Sequence, residues 1–165
     1  MLRVISVGLF AFIIYILFSG SITLYDIITG VIVALVVALA FSKTIVRHDA
    51  KSLDLRRLIW LLAYLIHYLT IIELKAHLDV AKRILHPRMP IRPGIVRVPY
   101  TTKTDYGVVL VSNSITNTPG TVVVDLDESK KVLYVHWIDV KAIEPEQTYE
   151  HISKTFEKYA KKIFD

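Results

Sequence analysis

Up to Leu78 the apolar residues come in runs rather than in alternation. Val4 to Phe18 is almost unbroken and is closed by Ser19, Gly20 and Ser21. Ile27 to Phe41 forms a second run, and Leu58 to Ile66 opens a third that extends to Leu78 and, as one helix, to about Leu85. A helix needs roughly 20 residues to span a bilayer, with about 17 as the lower bound, and the stretch from Leu2 to Ser19 meets that bound. A cleaved signal peptide, with Arg3 as its positive region and Ser-Gly-Ser as its cleavage site, is the competing reading; the second run following at once argues against it. Two runs joined by so short a loop predict a helical hairpin, because backbone polar groups in lipid must be hydrogen-bonded within helices. Helices are expected at about 2–19, 27–42 and 55–85, as a membrane domain over 1–85.

The pattern then changes. Pro87, Pro90 and Pro93 interrupt residues 86–94, which read as an extended linker. Beyond it, 95–165 reads as a small α+β domain. Ile95–Pro99 alternates as a short strand, and Thr121–Asp125 is mostly β-branched. Asp127–Lys130 makes a turn, and Val132–Ile138 returns as the hairpin partner. Val108, Val111 and Ile115 recur at helical spacing within Asp105–Asn117, with a strand through 108–112 as the alternative. Glu146–Phe164 is amphipathic, with Ile152, Phe156, Tyr159 and Ile163 on one face. The order β-α-β-β-α predicts a truncated split ferredoxin-like domain.

Composition sharpens this division. Hydrophobic residues make up 53% of the 165 and charged ones 21%, values that conflict for a uniform globule and agree for a membrane half joined to a polar half. Disorder is excluded, since it requires low hydrophobicity. With no cysteine, disulfides, thiolate metal sites and cysteine nucleophiles are excluded too. Two Asn and one Gln beside abundant Ile, Val and Lys lean toward a heat-adapted source. The net charge of +5 is no nucleic-acid signature, because from Asp79 onward 13 Lys/Arg face 11 Asp/Glu. The basic residues instead flank the apolar runs. The loop Ser19–Asp26 has none, while Arg3 lies at one end of the hairpin and Lys43, Arg47, Lys51, Arg56 and Arg57 at the other, which predicts cytoplasmic ends. If the third segment spans, Lys75, Lys82, Arg83, Arg88 and Arg92 are pushed outside. If it enters obliquely or lies in the interface, every basic cluster stays inside; the sequence favours that arrangement, which a long helix lying along partner subunits at the cytoplasmic boundary would satisfy.

Two groups of residues are candidates for chemistry. His67, Thr70, Glu73 and His77 recur at steps of three, three and four on the third segment, a spacing that places them on one helical face. Ionisable groups at membrane depth mark ion paths or subunit interfaces; the alternative is solvation at headgroup level with a Glu73–His77 pair. Two ligands do not complete a metal shell. Thr118-Pro119-Gly120-Thr121 reads as a helix stop and strand start. His136 and Asp139 flank Trp137, but an odd spacing along a strand turns them to opposite sides. No catalytic residue, cofactor or metal is expected.

Pro90-Ile91-Arg92-Pro93-Gly94-Ile95-Val96, then Asn113-Ser114-Ile115-Thr116-Asn117-Thr118-Pro119-Gly120-Thr121, then Leu133-Tyr134-Val135-His136-Trp137-Ile138-Asp139 form an ordered set along the chain. With the hydrophobic N-terminus, this set resembles the E subunit of the multisubunit Mrp (Mnh) sodium/proton antiporters, and its equivalents in membrane-bound hydrogenases and related respiratory complexes. The resemblance implies a non-enzymatic, accessory membrane subunit with a cytoplasmic C-terminal domain. Its partners would be the bilayer and other subunits of an antiporter or hydrogenase-type complex. The ions would be moved by larger subunits. A membrane-anchored binding domain unrelated to transport, and a direct part in the ion path, are the alternatives.

Overall fold

A computed structural model describes residues 2–46 and 54–165. Arg47 and Lys51, invoked above for orientation, lie outside the described residues. Contacts divide the chain into two compact units, Met1–Leu55 and Arg56–Asp165. The division therefore falls before the third apolar segment rather than at the proline-rich stretch. Among the described residues, Leu2–Ser19, Leu24–Ile45 and Leu55–Leu85 are long and apolar enough to cross a membrane.

The first unit is an antiparallel hairpin of α1 (Leu2–Ser19) and α2 (Leu24–Ile45). The second helix begins three residues earlier than its apolar run because Thr23 and Asp26 form a reciprocal cap. The Asp26 N–H donates to Thr23 Oγ1 at 3.2 Å, and the Thr23 N–H donates to Asp26 Oδ2 at 2.9 Å. On α2, Gly30, Ala34, Ala38 and Ser42 are buried, one per turn. This row lets the two backbones approach, as small residues do between membrane helices. Phe12 and Tyr15 of α1 lie over Gly30, and Tyr15 shares a hydrogen bond with Thr29 at 2.8 Å. The row escaped the sequence pattern, in which Gly30, Ala34 and Ala38 counted only as members of the apolar run.

In the second unit, α3 (Leu55–His67) passes through a π-helical turn (Tyr68–Ile72) into α4 (Glu73–Leu85). There follow β1 (Gly94–Pro99), α5 (Asp105–Asn117), β2 (Thr121–Asp127) and β3 (Val132–Trp137). A short α6 (Pro145–Thr148) leads through a second π-helical turn (Tyr149–Ser153) into α7 (Lys154–Phe164). The segment through 108–112 is helical, as the spacing of its valines favoured. The strand order is β1-β3-β2, with β3 antiparallel to both neighbours. This is the split β-α-β crossover of a ferredoxin-like sheet without its last strand, so the α+β expectation holds.

Alternation fixes which face is covered. Val96, Val98, Leu133 and Val135 are buried, and they meet Val111 and Ile115 of α5 and Phe156, Ala160 and Ile163 of α7. Ile95, Arg97 and Val122 lie on the open face. Tyr64 and Tyr68 of the long helix belong to the same core. Glu157, on the buried face of α7, accepts hydrogen bonds from the Thr101 N–H and from Thr101 Oγ1 at 2.7 Å, and pairs with Lys161 at 3.1 Å. It fastens the segment after β1 to the last helix. The Asp165 side chain does the same for the start of α5, accepting from the Lys103 N–H at 3.0 Å and from Thr104 Oγ1 at 3.1 Å.

Candidate functional site

The polar row on the long helix crosses the π-helical turn, where the Glu73 N–H bonds to the Tyr68 carbonyl. One extra residue in that turn rotates the rest of the helix, so the four candidates separate. His67 turns toward the C-terminal helix, with Nδ1 3.2 Å from the Tyr159 hydroxyl. Thr70 is exposed and donates to the Ile66 carbonyl at 2.6 Å. Glu73 and His77 do meet, Oε2 to Nδ1, at 3.3 Å. The imidazole is exposed, whereas the Glu73 carboxyl is mostly covered, and its second oxygen is buried without a hydrogen-bond partner. Among the described residues no three His, Asp or Glu side chains gather to hold a metal.

Beside this row lies a polar set that joins Ser114, Asn117 and Thr118 of the quoted motif to two tyrosines the sequence pattern did not single out. Tyr64 shares a 2.6 Å hydrogen bond with Ser114. The Asn117 amide donates to the Tyr68 hydroxyl at 3.2 Å, and Tyr68 also reaches Thr118 at 3.4 Å. Tyr64 and Tyr68 stand one turn apart on a helix, an i,i+4 signal that could have identified them as a docking pair.

Thr118–Thr121 closes α5 and opens β2. The Thr118 N–H and hydroxyl both donate to the Ser114 carbonyl, at 3.1 and 2.7 Å. Pro119 cannot continue the helix. Gly120 adopts φ +97°, a conformation that favours glycine, and its carbonyl accepts from the Ile138 N–H at 2.9 Å. The Thr121 hydroxyl returns to the Ile115 carbonyl at 2.7 Å.

The second motif splits in the same way. His136 lies on the open face of β3, paired across the sheet with Ile95 and Val122. Trp137 faces inward, its ring 5.9 Å from that of His151. Asp139 lies beyond the strand end, where its carboxylate takes two arginines. Oδ1 accepts from Arg92 Nε at 2.9 Å, and Oδ2 lies 2.9 Å from Arg83 Nη1. Arg92 foremost, and then Arg83, hold the carboxyl below the usual aspartate range against the opposing effect of burial. Arg83 also grips Asp79 one turn back on α4, at 2.9 Å, and donates to the Pro90 carbonyl at 2.8 Å. Asp139 is thus the centre of a clasp between α4, the proline-rich segment and the end of the sheet. His136 has no part in it.

Comparison with known proteins places this architecture. The family model described as "Na+/H+ ion antiporter subunit" (MNHE) matches residues 8–163. The chain is 34% identical over 146 residues to the E subunit of the Na(+)/H(+) antiporter of Alkalihalophilus pseudofirmus, covering 88% of each chain. It is likewise 34% identical over 154 residues to the E1 subunit of the Na(+)/H(+) antiporter of Staphylococcus haemolyticus, covering 91% of this chain and 90% of that one. A chain in the structure of the membrane-bound sulfane sulfur reductase, an archaeal respiratory membrane complex, superposes with a TM-score of 0.87 at 35% identity, covering 99% of this chain and all of that one. From its membrane hairpin to its clasped α+β unit, the chain belongs to the Na+/H+ ion antiporter subunit family, the family of the antiporter E subunits.

Proposed function

We propose that the protein is an accessory membrane subunit of a multisubunit cation/proton antiporter module, either free-standing or built into a respiratory membrane complex. Its own task is assembly and stability, with the α+β unit on the cytoplasmic side against neighbouring subunits. The observation that carries this is the family match along almost the whole chain, 8–163. The use to which the motif residues are put supports it. Asp139 is held by two arginines, Thr118 and Thr121 cap a helix, and His67 meets Tyr159, all contacts that hold a fold together. Purification in mild detergent is the test. Polytopic partners should co-purify, and a lone monomer would point instead to a self-contained membrane-anchored domain. Single cysteines at Ser21 and Ser129 should label from opposite sides of intact cells, Ser21 from outside.

One observation favours a second reading. One oxygen of the Glu73 carboxyl is buried without a hydrogen-bond partner, and on a spanning helix such a group marks a proton or ion route. Glu73→Gln separates the two. A scaffold keeps both assembly and transport, whereas a route residue loses transport from a normally assembled complex.

A further inference from the structure

We infer that the long helix Leu55–Leu85, although apolar enough to cross a membrane, lies in the plane of its surface and seats the α+β unit on the bilayer through an apolar ridge edged with lysines.

The helix is docked on its own domain along nearly its whole length. At one end Arg57 Nη1 donates to the Ile163 carbonyl at 2.7 Å; at the other Arg83 meets Asp139 at 2.9 Å. The 26 residue steps from Arg57 to Arg83 rise about 39 Å, more than the roughly 30 Å of a hydrocarbon core. The middle is docked as well. Trp60 and Tyr64 pack on Tyr159, Tyr68 packs on Phe156, and Tyr64 and Tyr68 are 5% and 6% exposed. A helix held in this way cannot cross without taking the domain with it. The domain carries an open three-stranded sheet in which β1 and β2 are edge strands. Open sheet edges are not tolerated in lipid, because nothing there pairs their N–H and C=O groups.

The opposite face fits the interface. Leu55, Ile59, Leu62 and Leu69, and then Leu74 and Leu78, are each about half exposed or more. With Ile66, exposed between Leu62 and Leu69, they step along one side by threes and fours, except for a step of five from Leu69 to Leu74. That step falls on the π-helical turn, and the docked face takes the same step from Tyr68 to Glu73. One inserted residue carries both faces past the turn together. Lys75 and Lys82 are exposed beside Leu74 and Leu78, where snorkelling ammonium groups meet anionic headgroups. An apolar face edged with basic residues is the signature of a helix buried about 5–10 Å into the headgroup boundary. Lipid is the occupant that both the leucines and the lysines match.

The chain has no cysteine, so single cysteines at Ile59, Leu62, Leu69, Leu74 and Leu78 can each carry a spin label. All five side chains are exposed, so the label displaces nothing packed. Collision with oxygen and with a nickel chelate is read in the full chain, and in the complex it purifies with, in bilayers of phosphatidylethanolamine and phosphatidylglycerol. The expected result is high oxygen access and one shallow depth for all five sites, within about 5 Å of each other. A profile that deepens to about 15 Å at Leu69 and rises again toward Leu78 means a spanning helix and overturns the inference. Low access to both reagents in the complex means that a neighbouring subunit covers the ridge, and overturns it equally. The inference does not rest on the antiporter reading; if no partner co-purifies, the profile of the chain alone still decides it.

Discussion

Asp139 and Arg83 face each other at 2.9 Å with side chains only 10% and 12% exposed, joining the segment after β3 to the last turn of the long helix. Replacing Asp139 by Asn keeps the shape and removes the charge, leaving a largely covered guanidinium with a weaker partner. The expected loss is about 2 kcal/mol of unfolding free energy, read as a lower midpoint in denaturant with the full chain in detergent.

The same pair predicts an acid response. Because its arginines hold the folded Asp139 carboxyl below the usual range, its contribution is complete above the ordinary carboxylate pKa of about 3.9. It fades as pH falls through the depressed folded value. As pH falls below about 4, the parent should therefore lose stability more steeply than Asp139→Asn. Parallel slopes in an acid titration would show that the clasp adds nothing.

Within the hairpin, a Cβ built on Gly8 falls 3.5 Å from that of Ala38. Disulfides form at Cβ separations of about 3.5–4.5 Å, so Gly8→Cys with Ala38→Cys should cross-link on mild oxidation. A Cβ on Gly30 would come within 2.8 Å of the Tyr15 ring and 3.1 Å of the Phe12 ring. Adding Gly30→Val should spread the helices and reduce the cross-linked fraction severalfold. An unchanged fraction would mean that the small-residue row does not set the helix spacing.

Phe156 is 5% exposed and packs between the sheet and Tyr68. Phe156→Ala is expected to cost about 3–5 kcal/mol, comparable to the stability of a small domain. Fewer complexes should assemble, while transport per assembled complex stays near the parent value. A collapse of transport per complex at normal assembly would contradict the accessory role.

Gly120→Ala forces a side chain into φ +97° and brings its Cβ to 3.0 Å from Ile138 Cγ2. The expected cost is about 1–2 kcal/mol, visible as a lower thermal midpoint. An Ala at the exposed hairpin position Ser129 serves as the control.

What the sequence determined by itself is what depends on neighbours along the chain. The three apolar runs, the proline break and the β-branched strands around Asp127–Lys130 each carry a periodicity or a turn residue, and so the hairpin and the β-α-β-β-α order were legible. So was the family, since its motifs are ordered strings. The ends and interruptions of helices were not. The reciprocal cap from Thr23 lengthened α2, and the π-helical turns at Tyr68–Ile72 and Tyr149–Ser153 follow from packing that no local pattern encodes. Tertiary structure alone decided that the third apolar segment packs with the α+β domain, because Tyr64 and Tyr68 find Ser114, Asn117 and Phe156 roughly fifty to ninety residues away. It also decided what Asp139 does. By sequence alone, a carboxylate three residues from His136 would face the opposite side of a continuing strand. In space the strand ends at Trp137, the chain turns, and the charge is drawn to the two arginines whose approach lowers its energy most.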